Sequence, residues 1–318
     1  MSSLSNNQGR AYEFSYLMTL EREISKHRSV IVEKNSSYYT AKKTWENIDE
    51  SLKTIFESSS LAGVLSIFEL EPLILEDGND ILNLKIQSDS EGKEGDVRDV
   101  LIIRRGIEWE IGLSVKHNHF AVKHSRLSKG LDFGDKWFGV KCSKQYWDDI
   151  APIFEYLDAE KKLNTEWKKL PSKEQDVYVP LLNAFTNELL RSYKIHGNVI
   201  PQKMVEYLLG QFDFYKVIGI DSRRITQIQA FNLRGTLNRA GGKVKPCLII
   251  PVSCLPTRIV DIGFKPGSNN TIELYLDAGW QFSFRIHNAS SVVETSLKFD
   301  IQIVGMPATI ISIDCKWK

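Results

Sequence analysis

Cysteine is scarce, and its four copies (Cys142, Cys247, Cys254, Cys315) form no CxxC and no paired metal-ligand spacing. That excludes the disulfide framework of small secreted domains and a zinc finger or ribbon. Reduced thiols in a cytoplasmic protein are the expectation. Long apolar runs are also missing: none approaches the ~18–20 residues of a membrane span. The polar start MSSLSNNQGR is no secretory signal. No internal repeat and no long low-complexity linker interrupts the chain. Net charge is nearly absent too, at +1, so any nucleic-acid binding must come from local patches.

What is present is ordinary for a globular protein. The chain has 318 residues, 42% hydrophobic and 25% charged, enough for one large or two modest domains with a sizeable core. Apolar spacing predicts a helix over 10–24, with Asn6 or Asn7 as caps, then mostly helix over 41–58 and a further element from 61 to 70. Residues 77–80 read as a turn, 81–86 as a short strand or helical end, and 88–95 as a polar loop. Helices follow over 150–163, 179–193 and 201–215, the last with a proline in its first turn. Strand signals then dominate: 215–220, 248–252, 259–264, 271–276, 281–286, 296–304 and 309–313. The fold class is α/β, with a catalytic part over 1–150, a helical connector over 151–215 and a β-rich part over 216–318.

The stretch 95–129, GDVRDVLIIRRGIEWEIGLSVKHNHFAVKHSRLSK, holds the chemistry. Runs 100–104 and 107–115 are two strands joined at Arg105-Gly106. A fold about Gly106–Ile107 sets Asp99 opposite Ser114, and Glu110, Gly112, Ser114 and Lys116 line one face of the second strand. An acid at one strand's mouth thus meets a lysine near the end of its neighbour. That geometry can hold a divalent metal beside a scissile phosphate. Asp96 and Glu110 compete to be the second acid. Glu13, one turn into the first helix, is by pattern alone a surface acid favoured by the helix dipole.

An acid, an apolar strand and then x-x-Lys on the next strand resembles the PD-(D/E)XK nuclease core. The blocks GDVRDVLI, GLSVKHNH, NQGRAYEF and FRIHNASS together resemble the HaeIII family of type II restriction endonucleases along essentially the whole chain. The resemblance implies a restriction-endonuclease-like core of mixed central sheet and flanking helices. It also implies Mg²⁺-dependent hydrolysis of double-stranded DNA, at GGCC with blunt ends. Asp99 becomes the central metal ligand and Lys116 the residue that orients or deprotonates water and stabilises charge on phosphorus. Ser114 departs from the pattern, standing where an acid usually does. Glu13 is then the preferred supporting carboxylate, since nucleases of this fold often present a glutamate from the N-terminal helix. A palindromic target favours a homodimer, and self-protection requires a cognate DNA methyltransferase. A structure-specific repair or junction nuclease and a catalytically inactive DNA-binding module remain open alternatives.

DNA contacts are expected in three places. From 116 to 144 the chain has seven lysines and arginines against two aspartates, interleaved with histidines and aromatics. Helical spacing places Lys116, His119, Lys123 and Arg126 along one face, with His117, Asn118 and Ser114 nearby. The plain alternative is a solvated basic helix. Zinc on His117, His119 and His124 lacks a completing ligand. In the C-terminal part, Arg285, His287, Asn288, Ser290 and Ser291 suit base or phosphate contacts, arginine to guanine above all, although such residues also cap turns. Arg223, Arg224 and Asn232 form a third candidate element, or a simple basic loop.

Overall fold

The computed structural model describes residues 2–88, 95–239 and 242–318, with side chains from residue 7 onward. Most of the expected 88–95 loop lies outside them. The chain forms two compact units, each discontinuous in sequence: Met1–Phe120, Gly210–Ser253 and Ala308–Lys318 in the first, Ala121–Leu209 and Cys254–Pro307 in the second. The sequence reading divides the chain into three consecutive parts instead.

The first unit is built on α1 (Ser2–Ile24), β1 (Val30–Glu33), α2 (Ser36–Glu46), α3 (Glu50–Leu70), β2 (Leu82–Ile86), β3 (Val100–Arg104), β4 (Trp109–His117), β6 (Phe214–Ile220), β7 (Ile225–Phe231) and β12 (Ser312–Lys316). Its seven strands form one sheet in the order β1-β2-β3-β4-β6-β7-β12. The pairs β1–β2 and β4–β6 are parallel and the others antiparallel. Tyr12, Tyr16 and Leu17 of α1 and Phe56, Val64 and Ile67 of α3 share one core with Ile102, Leu113, Val115 and Tyr215 of the sheet. Side chains alternate along a strand, so Ser114 and Lys116 take the sheet face opposite to Leu113 and Val115.

The second unit holds β5 (Ala121–Ser128), α4 (Phe133–Phe138), α5 (Lys144–Lys162), α6 (Val179–His196), α7 (Val199–Leu209), β8 (Ile259–Phe264), β9 (Thr271–Leu276), β10 (Gln281–His287) and β11 (Ser296–Gly305). An antiparallel sheet runs β5-β11-β10-β9-β8. Trp137, Phe185, Phe284 and Phe299 form its aromatic centre, with Trp137 stacked on Tyr207.

The chain is thus α/β, a mixed sheet flanked by helices and a β-rich C-terminal part. Several local expectations need correction. Helix α1 begins at Ser2, so positions 6 and 7 lie inside it and not at its start. The helix expected over 41–58 breaks at Asn47–Asp49, where α2 ends and α3 begins, and residues 61–70 continue α3. The helix expected over 201–215 stops at Leu209 because Gly210 turns with φ +83°, close against the Gly95 carbonyl. Residues 248–252 form no strand: Pro246 and Pro251 remove ladder donors, and Asn232 binds the Ile250 carbonyl there. The helical face proposed after Lys116 is instead β5, paired with β11. Its alternation wins because Ala121, Ser125 and Leu127 face inward at period two.

Candidate active site

The β3–β4 register runs from Val100 opposite Leu113 to Arg104 opposite Trp109, which carries Asp99 to Ser114 one step further. The reversal takes four residues, with Glu108 in the left-handed region at φ 51°. At the open end, the Asp99 amide donates to the Leu113 carbonyl at 2.7 Å. Asp99 Oδ2 accepts the Val115 amide at 2.7 Å and Lys116 Nζ at 2.8 Å, with Ser114 Oγ at 3.4 Å. All three contacts use Oδ2, and among the described residues none engages Oδ1. Both side chains remain partly exposed, so the pair is open to solvent.

Burial alone would pull the Lys116 ammonium below its ordinary pKa, but the negative charges of Asp99 and then Glu13 outweigh it and raise the value. Lys116 is therefore a firmly charged lysine. Glu13 of α1 is the second carboxylate whose field reaches it. The acids competing for that role are held elsewhere. Arg98 grips Asp96 through Nε and Nη2 and donates Nη1 to Glu110 at 2.6 Å, while its guanidinium lies 4.0 Å above the Phe212 ring. Its stem fills the space where a side chain at Gly112 would stand. Glu110 itself sits opposite Ile103, four residues back from Ser114, or roughly 13 Å along the strand.

A carboxylate with one oxygen unengaged among the described residues and a second carboxylate nearby are hard oxygen donors, the set that Mg²⁺ takes while keeping several waters. Asp99 and Glu13 fit that ion.

The expected DNA contacts fall into distinct settings. His117 Nε2 meets Asp221 at 2.9 Å and packs against Phe56 and Tyr12, which removes it from any shared zinc set. Asn118 bonds the same Asp221 through its side chain and accepts the Asp221 amide. Together they clasp the end of β4 to the turn after β6. His119 is half-buried. Lys123 points inward, donating to the Tyr207 carbonyl at 2.7 Å and lying over that ring, and burial, followed by the charge of Lys136, lowers its pKa to about 8. Arg126 is exposed, touching Ser296 and Glu294. Arg223 pairs with Asp314, and Arg224 occupies the left-handed position of its turn. Asn232 is buried as a loop brace.

Arg285 is about half exposed and pairs across the ladder with Asp300 at 3.0 Å. Burial, then the charges of Arg285 and Lys298, lower the His287 pKa, and its Nδ1 has no hydrogen-bond partner among the described residues. Asn288 is spent on its own loop, donating to Ser290 and Val292 and accepting from Glu294. The Ser290 hydroxyl accepts the Val292 amide. The turn-capping alternative thus describes Asn288 and Ser290, while Arg285 keeps an accessible head.

An aspartate, a charged lysine and a second carboxylate at the open end of a sheet can polarise a phosphodiester and orient water against it, which is the machinery of a nuclease. The chain matches the HaeIII restriction endonuclease family over residues 9–307. It is 54% identical to the type II restriction enzyme HaeIII of Haemophilus aegyptius, over 318 residues that cover the whole of both chains. No solved structure matches it. The chain therefore belongs to the HaeIII restriction endonuclease family, as an enzyme of the type II restriction class.

Proposed function

We propose that the chain cuts both strands of DNA at the palindrome GGCC, leaving blunt ends, in a Mg²⁺-dependent hydrolysis at Asp99 and Lys116. The contact of Asp99 Oδ2 with Lys116 Nζ at 2.8 Å, open to solvent and within the field of Glu13, carries the reading. The target follows from the likeness to the Haemophilus aegyptius enzyme. Asp99 and Glu13 would hold the ion, which when bound supplies positive charge to the phosphate and acidifies a water. Lys116 stays protonated, so its part is to hold the attacking water and the non-bridging oxygens and to stabilise charge gathering on phosphorus. Asp99 keeps that ammonium directed through Oδ2 while no described residue engages Oδ1.

Base reading is assigned to the β-rich part, residues 216–318, with Arg285 as its leading side chain. Arg126 serves as a backbone contact. A palindrome cut on both strands calls for two sites, hence a homodimer, and a cognate methyltransferase protects the host's own copies of the target. No helix among the described residues is long and apolar enough to cross a membrane, and we place the enzyme in the cytoplasm with its DNA. Incubation of purified protein with plasmid, with and without Mg²⁺, followed by sequencing of fragment ends, tests this reading. Blunt ends centred on GGCC, formed only with the ion, are expected. A smear independent of sequence, or no cleavage with Mg²⁺ or Mn²⁺, overturns it.

A further inference from the structure

Strand β6 reads FYKVIGI, an apolar run with one lysine inside it, and Lys216 is only 3% exposed. The parallel ladder sets Lys216 directly beside Ser114, and neighbours across a ladder point to the same face of a sheet. Lys216 therefore lies on the face that carries Lys116, one strand away. Its Nζ donates to the Phe120 carbonyl at 2.6 Å, and among the described residues no carboxylate pairs with it. A buried ammonium without a counter-ion is costly by several kcal/mol, so its retention calls for a role. Burial, and after it the charge of Lys116, lower its pKa to about 7. The segment leaving Lys116 is fastened nearby as well, since His117 and Asn118 both bond to Asp221 beyond the end of β6.

We propose that Lys216 is a positioning residue for DNA cleavage: it anchors the Phe120 carbonyl and so fixes the segment leaving Lys116, which keeps the Lys116 ammonium turned toward Asp99. This rests on the assignment of Asp99 and Lys116 to the cleavage step. It also gives the serine at 114 a physical reason. A carboxylate there would pair with Lys216 and draw it off the Phe120 carbonyl, whereas a hydroxyl leaves that anchor in place.

Lys216→Gln carries a donor one bond too short for the Phe120 carbonyl, Lys216→Met has no donor, and Lys216→Arg keeps a donor of sufficient reach. Thermal melting, metal-free DNA affinity and single-turnover cleavage are measured for each beside Asp99→Asn. Lys216→Gln should melt no lower than the parent and bind DNA within about two-fold, yet cleave about ten-fold more slowly. Lys216→Arg should recover much of that rate, and Lys216→Met should be the slowest of the three. A parent-like rate in folded Lys216→Gln, or a loss matched by equal loss of DNA affinity, overturns the proposal. So does a folded Lys216→Arg no faster than the glutamine variant. An active Asp99→Asn enzyme would instead overturn the site assignment on which it rests.

Discussion

The two sheets hold their charges differently. Beside β3 of the seven-stranded sheet two arginines are sunk into the fold, Arg98 just before the strand and Arg104 at its end, with side chains 5% and 4% exposed and locked on Asp96 and Asp80. In the five-stranded sheet the arginine heads sit outside, Arg126 at 43% on the partly exposed Glu294 and Arg285 at 56% over the buried Asp300. Breaking a buried pair leaves a stranded charge and costs about 3–5 kcal/mol, whereas an exposed pair is worth about 0–1 kcal/mol. The first sheet therefore offers rigid geometry, which catalysis needs before substrate arrives. In the second, Arg126 can leave Glu294 for DNA at little cost, whereas Arg285 would have to give Asp300 up in exchange for a contact as strong. One sheet is built to hold a reaction coordinate, the other to exchange partners.

The sharpest way to break that division is at the catalytic pair. Asp99→Asn and Lys116→Met should each lower single-turnover cleavage by on the order of 10³-fold, about 4 kcal/mol of barrier. Metal-free DNA affinity and melting temperature should change little, because both side chains are partly exposed. Near-normal turnover in either folded variant removes that residue from the site. Arg126→Ala under the same assay should leave the chemical step untouched.

Arg285 tests the other half of the comparison. If its head leaves Asp300 to bond guanine, Arg285→Ala should erode discrimination between the target and a single-base variant by about 1–3 kcal/mol, read from the two dissociation constants. The rate at saturating enzyme should hold. Equal losses on target and random DNA would make Arg285 a backbone contact and leave base reading to another element.

A third contrast lies within the first sheet. Glu13→Gln should raise the Mg²⁺ concentration needed for half-maximal rate and slow cleavage about ten-fold, on the order of 1.4 kcal/mol. Glu110→Gln should act mainly on stability, since its carboxylate answers Arg98. If the glutamine at 110 is the more damaging to rate and the one at 13 is silent, the second carboxylate stands on the strand.

The hairpin was legible because its information is local. Apolar runs set β3 and β4, and one turn fixes the register, so the meeting of Asp99 with Lys116 follows from counting. Strands β8 and β9 are bounded by turns and were equally readable, at their observed limits. Glu13 could be preferred over Glu110 only through the fold resemblance, because the approach of a helix to a hairpin is a tertiary fact. Lys216 left a signal that went unused: a single lysine inside an apolar strand. Strand β7 was missed because Thr226, Gln227 and Gln229 break its apolar pattern, although Ile225, Ile228, Ala230 and Phe231 are buried. The segment after Lys116 was misread since Lys123 and Leu127, four apart, satisfy helical spacing as well as alternation, and only pairing with β11 decides between them.

That misreading yields the finest test, because a strand separates what a helical face would have grouped. Lys123 and Arg126 are three residues apart, neighbours on a helix, yet on β5 they point to opposite faces. Lys123 is turned inward onto the Tyr207 carbonyl and ring. Arg126 is turned out, with weak partners in Glu294 and Ser296. Arg126→Ala should therefore weaken binding to unrelated sequences alike and reduce the slope of log affinity against log salt by about one unit, the mark of one lost phosphate contact. Lys123→Ala should leave that slope unchanged and lower the melting temperature, since it empties an inward position. A slope that falls equally in both variants would mean that Lys123 swings out to DNA on binding. The five-stranded sheet would then surrender a buried cation as readily as an exposed one.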